Sequence, residues 1–211
     1  AAVEGYPLVA RWYHLKRRLL GLDKLYVWDR YAPLPGSPQD IPWDDARRLV
    51  VEAYAAFAPE IGEIVERFFA RRWIDAALRD GKRGGAFCAA NTPDTHPYVL
   101  LNYTGKPRDV MTLGHELGHG IHDVLSSVQS ILVYHPPLAL AETASVFGEI
   151  LVFDALLRQL TDRQQRLAFL ASKIEDLFAT TFRQVAMYRF EQRAHRARRQ
   201  QGGLDSAPLG T

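Results

Sequence analysis

The 211-residue chain is 47% hydrophobic with a formal net charge of +2, which makes it an ordinary globular chain with apolar surface enough for a core and gives no overall charge that points to nucleic acid. Its single cysteine, Cys88, excludes an internal disulfide framework and fits a reducing compartment, so a cytoplasmic location is expected. The absence of a long apolar span or a signal-peptide pattern argues against secretion and against a membrane-embedded chain.

In chain order, residues 10–20 predict a short helix, and residues 29–40, with Pro33, Pro35, Gly36 and Pro38, predict a loop. Residues 43–80 have a helical pattern, with Asp44 near the start and Pro59 dividing it into two helices. The aromatics Tyr54, Phe57, Phe68, Phe69 and Trp73 are expected in the core. After Gly81 the pattern changes, and residues 84–90 and 98–103 read as two short strands joined through residues 91–97. Asp109 is expected to cap the next helix, with Leu113, Leu117, Ile121 and Val124 facing a core opposite His115, His119 and His122. Residues 138–160 predict a further helix. Thr161-Asp162-Arg163-Gln164 has the form of a capping box that starts a long helix to about Gln200. Phe169, Ile174, Leu177, Phe178, Val185 and Tyr188 are expected on its buried side. The basic residues Arg189, Arg193, His195, Arg196, Arg198 and Arg199 are read as a solvated helix end that complements the macrodipole, in preference to a surface for an anionic partner. Residues 202–211 read as loop.

The stretch that carries chemistry is His115-Glu116-Leu117-Gly118-His119. Histidines at i and i+4 lie one above the other on a helix, which suits two imidazole nitrogens closing on one zinc ion. Glu116 is rotated about 100° from His115 by the helical period, so it is better placed beside the metal as a base than on it. Gly114, Gly118 and Gly120 each cost on the order of 1 kcal/mol in a helix relative to alanine, a cost that a close approach by another backbone or by substrate would explain. A third ligand is expected from Glu142. Glu142 and Glu149 are seven apart on one face of an apolar helix, and charged groups in such surroundings want a cation or a donor. Glu149 then suits a supporting role, accepting a hydrogen bond from the far nitrogen of a ligand histidine, with a salt bridge to an arginine of the last helix as the alternative. His122 lies on the same stripe. As a fourth ligand it would close the site and defeat catalysis, so a supporting contact to Glu149 or Asp123 is expected. His122 and Leu125 stand where a metzincin needs glycine and histidine, which excludes that class.

Together these blocks resemble the M3 zinc metallopeptidases, and within them the oligoendopeptidase F branch. Besides HELGH the chain carries Gly81-Lys82-Arg83-Gly84-Gly85-Ala86-Phe87, then His96-Pro97-Tyr98-Val99-Leu100-Leu101-Asn102-Tyr103, then Thr112-Leu113-Gly114, then Glu142-Thr143-Ala144-Ser145-Val146-Phe147-Gly148-Glu149, and later Phe182-Arg183-Gln184, in the family's order from Tyr6 to Glu191. The resemblance implies a mainly α, zincin-like (gluzincin) catalytic domain with a small β-sheet before the metal-binding helix. It also implies His115, His119 and Glu142 as ligands of one Zn2+, Glu116 as catalytic base and Glu149 as a supporting carboxylate. Gly148 departs from the asparagine expected there. The family has a large helical N-terminal part and a C-terminal segment that supplies histidine and tyrosine oxyanion donors. Residues 1–211 are therefore expected to be part of a single catalytic domain, a core that works with the remaining parts of a full-length enzyme.

The expected activity is hydrolysis of peptide bonds in short unstructured oligopeptides by Glu116-assisted attack of a zinc-bound water, with peptides as partners and neither nucleic acid nor membrane. The alternative is a non-catalytic zinc-stabilised module, or an inactive fragment that needs the missing segment. Ala86, Phe87 and Cys88 are expected to form a substrate-binding strand edge, since an extended peptide can pair its backbone there. Cys88 as a nucleophile with His96 as base is formally open, but nothing in the sequence orders such a pair.

Overall fold

The protein is described by a computed structural model covering residues 3–36 and 40–202. A 3-10 turn (Val3–Gly5) leads into α1 (Tyr6–Leu19), and a second (Val27–Tyr31) precedes α2 (Trp43–Phe57) and α3 (Pro59–Ala70). Three short strands follow, β1 (Ile74–Asp75), β2 (Phe87–Ala89) and β3 (Tyr98–Leu100), then α4 (Pro107–Ser126), α5 (Ile131–Tyr134) and α6 (Leu138–Gln159). The chain ends in α7 (Arg163–Phe178), a π-helical turn (Ala179–Arg183) and α8 (Gln184–Gln201). It is mainly helical with a small sheet before the histidine helix, as its sequence implies. Two compact units result, Ala1–Ser37 with Asp162–Thr211, and Pro38–Thr161. No helix among the described residues is long and apolar enough to cross a membrane.

The first unit packs Trp12, Leu34, Ala168 and Ala171 into a small core. Beside them the Lys16 ammonium is buried, donating to Glu175 at 2.5 Å and to the Arg30 carbonyl at 2.7 Å. The start of the expected 29–40 loop is 3-10 helical, and its residues 37–39 lie outside the described residues, as do residues 203–211. The cap of α7 is Asp162, one residue later than the Thr161 box predicts, because its Oδ1 accepts the Gln165 N–H at 2.8 Å. The expected unbroken helix is interrupted at Ala179–Arg183. A π turn shifts the phase of an apolar stripe, and Tyr188 beyond it, expected inside, is exposed; Leu177, before the turn and also expected inside, is exposed as well. The arginines of α8 face solvent.

In the second unit Tyr54, Phe68 and Trp73 are in the core, but Phe57 is 57% exposed, its ring edge-on to Phe147 at 4.8 Å. The helix expected to reach residue 80 stops at Ala70. Trp73 N–H donates to the Phe68 carbonyl and Arg72 N–H to the Phe69 carbonyl, the Schellman pattern, with Arg72 at φ 57° in the position that glycine usually fills. Freed from the helix, Ile74 and Asp75 form a third strand, parallel to β3, that the helical periodicity had masked. The sheet order is β1-β3-β2, so β2 is an edge, antiparallel to β3 with Cys88 opposite Val99. Asp109 is not the cap of α4. Lys106 holds that position and Asp109 stands three residues on, its Oδ2 accepting from the backbone N–H groups of Lys106 and Thr104.

The turn between β1 and β2 is pinned by Lys82. Its side chain is 2% exposed and its ammonium donates to the carbonyls of Asp75, Ala77 and Leu101 at 2.7–3.0 Å and to Asp75 Oδ1 at 3.1 Å. Hydrogen bonds from Arg79, then from Lys82, hold the Asp75 carboxyl down to about 2.

Helices α4 and α6 cross with almost no side chain between them. A β-carbon on Gly118 would lie 2.5 Å from the Ala144 carbonyl oxygen, and one on Gly114 would meet Val152 at 2.6 Å. On the facing helix a β-carbon on Gly148 would overlap the Tyr54 hydroxyl, which donates to the Gly114 carbonyl at 2.6 Å. The expected asparagine has no room at 148, because a tyrosine from α2 fills the space.

Arg72→Gly should raise stability by about 1 kcal/mol in urea denaturation, since a non-glycine residue in the left-handed region costs about 1–2 kcal/mol. Asp75 has a depressed pKa, so its contribution is full above its ordinary value of 3.8 and fades as pH falls through about 2. The stability difference between wild type and Asp75→Asn should be constant near neutrality and close as pH falls from about 4 towards 2.

Candidate active site

The glycine seam sets the site. By bringing the backbones of α4 and α6 together at Gly118 and Ala144, it puts Glu142, two residues before that contact, over the histidine face of α4. Glu142 Oε2 is 3.4 Å from His115 Nε2 and 3.7 Å from His119 Nε2, and the two imidazole rings are 5.1 Å apart. The ligand atoms of His115, His119 and Glu142 all lie within 4.8 Å of one another, the one such group among the described residues that could hold a metal ion. Two imidazole nitrogens and one carboxylate oxygen are a donor set that zinc takes while keeping a position open.

Each member of the cluster is held by a further hydrogen-bond partner. His115 Nδ1 is 3.2 Å from Glu149 Oε2, the His119 ring is hydrogen-bonded to the backbone of Ala141, and Ser145 Oγ donates to Glu142 Oε2 at 2.8 Å. Ser145 is fully buried and escaped the sequence reading, where a small residue three after Glu142 in an apolar run looks like packing. Burial works against charge on His115, but the Glu149 hydrogen bond and the carboxylates of Glu116 and Glu142 outweigh it and raise its pKa. Burial lowers that of His119, aided by His115 and His122.

Glu116 stands apart from the three. It is 6% exposed, and burial raises its carboxyl to about 7 against the opposing effect of His115. Its carboxylate accepts a hydrogen bond from the backbone of Cys88, which ties β2 to α4.

A cleft of about 500 Å³ opens over these groups. Its walls include Ala86, Phe87 and Cys88 of the strand region, His115, Glu116 and His119 of α4, and Glu142 of α6, so the residues expected to form a substrate edge do share one cavity with the histidines. His122 and Asp123 continue the α4 wall together with His135, of which the sequence reading named the first two but not His135. His122 lies outside the metal-capable trio, and its charge bears on His119 and Asp123. The Cys88–His96 pair is not assembled. His96 stacks flat on Trp73 at 4.2 Å, whereas the Cys88 thiol is directed at Asp123 and burial pushes its pKa up.

Residues 52–209 match the model of Peptidase family M3. The Oligoendopeptidase F homolog of Lactococcus lactis is 33% identical over 90% of this chain and 32% of the relative, and the group B oligopeptidase PepB of Streptococcus agalactiae 34% over 90% and 31%. A solved structure from Chlamydophila abortus superposes with a TM-score of 0.78 at 30% identity, covering 93% of this chain and 33% of that one. PZ peptidase A, solved with an inhibitor, shares the fold with a TM-score of 0.76 at 21% identity, over 88% of this chain and 33% of its own. The chain spans about a third of the length of the curated relatives it matches. With a family model matched over most of its residues and a HELGH helix built into a metal-capable cluster, the chain belongs to peptidase family M3.

Proposed function

We propose that the chain forms the core of a zinc-dependent endopeptidase that hydrolyses peptide bonds in short, unstructured peptides. The observation that carries this reading is the convergence of His115, His119 and Glu142 in a cleft that also holds a buried, unligated Glu116 and an open strand edge. Those three residues would hold the zinc, Glu149 and Ser145 would orient His115 and Glu142, and His122 would support from beside them. A zinc ion bound there would supply Lewis-acid chemistry, acidifying a water and polarising a carbonyl.

Glu116 performs the proton transfers. One carboxylate oxygen takes a proton from the attacking water and delivers it to the departing amine nitrogen, while the Cys88 backbone contact fixes the carboxylate's direction. Peptide binding falls to β2. Val99 N–H and Leu101 N–H are spent on β1, so β3 turns the backbone of Tyr98 and Leu100 towards their β2 partners Ala89 and Phe87. By the alternation of an antiparallel pair, Ala86, Cys88 and Ala90 turn their backbone groups away from β3, and with the Cys88 N–H given to Glu116, the Cys88 carbonyl and the backbones of Ala86 and Ala90 are left for a peptide, all three residues in the cleft wall. An extended peptide pairing there would lie across Glu116 with affinity largely independent of its side chains.

The relatives' names supply the substrate class of oligopeptides. Peptides are the partners in this reading, without nucleic acid or membrane, and the site of action is the cytoplasm. Oxyanion donors come from the remainder of the full-length protein, so residues 1–211 alone should hold zinc yet turn over slowly.

Two variants separate holding the metal from using it. Glu116→Gln in the full-length protein should retain zinc by metal analysis and lose roughly a hundredfold or more in kcat on a quenched fluorescent peptide. Metal loss would move Glu116 into the coordination set and sink this assignment. Glu142→Ala should weaken zinc binding more than Glu149→Ala, for which a loss of about ten- to a hundredfold in affinity is expected. Equal losses would show that the ligand and the supporting carboxylate are wrongly assigned.

A further inference from the structure

The cleft does not end at the histidines. Asp123 lies four residues after His119 on α4, just over one helical turn or about 6 Å further along the axis, and it is part of the same wall. A half-buried carboxylate wants a cation or several strong donors. Among the described residues its hydrogen-bond partner is the Cys88 thiol at 3.6 Å, a weak donor, with His122 and His135 near enough for their charge to be felt. Among the described residues, no lysine or arginine lines the cleft.

A second unsatisfied group stands behind it. The Tyr134 hydroxyl is the one buried side-chain polar atom among the described residues without a hydrogen-bond partner, in a side chain 1% exposed, and it lies within the electrostatic reach of Asp123 and Cys88. This end of the cleft therefore holds a carboxylate whose direct donor is a single weak one, the Cys88 thiol, with the unpartnered Tyr134 hydroxyl buried nearby. A neutral apolar side chain entering here would desolvate Asp123 further without compensation. An ammonium or guanidinium group would bring three or five N–H donors together with the missing positive charge.

We propose that Asp123, with the thiol of Cys88 beside it, forms the floor of a subsite that takes the lysine or arginine side chain of a bound peptide, an inference that rests on the peptidase reading above. Cys88 links the two functions. Its backbone belongs to the peptide-pairing edge and its side chain to the subsite, so a peptide lying along β2 can direct a side chain towards Asp123.

The test uses the zinc-loaded full-length protein and quenched fluorescent peptides in matched sets with lysine, arginine, norleucine or glutamate at each position flanking the cleaved bond. At one position lysine and arginine should exceed norleucine in kcat/KM by about tenfold or more, as charge-paired recognition gives. Asp123→Asn should bring that ratio close to one, Asp123→Glu should keep it, and Asp123→Lys should turn it towards glutamate. The same ratios read as Kd by fluorescence anisotropy on the Glu116→Gln protein make the result independent of turnover. Absence of a basic preference in both kcat/KM and Kd, or a preference unchanged by Asp123→Asn, overturns the subsite. If no peptide is hydrolysed although the protein is loaded with zinc, the peptidase reading fails, and the Kd ratios still decide the subsite by themselves.

Discussion

The close crossing of α4 and α6 is the constraint on which the rest of the second unit depends. Two helices that meet through Gly114 and Gly118 on one side and Ala144 and Gly148 on the other leave the histidines of the first within reach of the glutamate of the second. A bulkier residue at Gly118 would push α6 outward and carry Glu142 off the histidines. The glycines of this helix each cost on the order of 1 kcal/mol in helix propensity, and for Gly114 and Gly118 the crossing is where that cost is recovered in packing. Gly120 serves the other side of the same helix, where the Phe68 ring would meet a β-carbon at 2.5 Å. One helix thus sits tightly against both neighbours while its remaining face stays open to the cleft.

Glu116 connects the helix pair to the sheet. Most buried carboxylates are paired with a cation, but this one is held by a backbone N–H from an edge strand. The proposed base and the strand edge proposed to pair with peptide are therefore joined by a hydrogen bond. On the far side of the sheet Lys82 gathers carbonyls from β1, from the turn after it and from the residue that follows β3. That turn carries much of the Gly81-to-Phe87 motif. A buried ammonium on three carbonyls explains why a lysine sits between glycines here better than any contact with substrate would.

The centre was legible in the sequence because helical spacing and residue chemistry speak together there. His115, Glu116 and His119 need only the period of a helix, and Glu142 and Glu149 betray themselves as charges on an apolar run. Less visible was whatever depended on tertiary neighbours. Arg72 ends α3 in a conformation that glycine usually marks, so residues 73–80 continued to look helical and β1 was hidden. Asp109 and Asp162 both bond the free N–H groups at a helix start, but which position becomes the cap, Lys106 and not Asp109, Asp162 and not Thr161, is decided by backbone dihedrals and not by composition. His135 had no periodic or motif signal at all, and only the cavity brings it to Asp123, while the role of Ser145 depends on its hydrogen bond to Glu142.

The meeting of Tyr54 with Gly148 has a consequence for how such a chain can change over time. The phenol reaches across from α2 to the Gly114 carbonyl and uses the volume that a side chain at 148 would need. Any side chain at 148 therefore requires a shorter residue at 54, and a shorter residue at 54 leaves a void unless 148 fills it. The two positions are ninety-four residues apart in sequence yet cannot drift independently, and their pairing should be readable as covariation across the branch to which this chain is related.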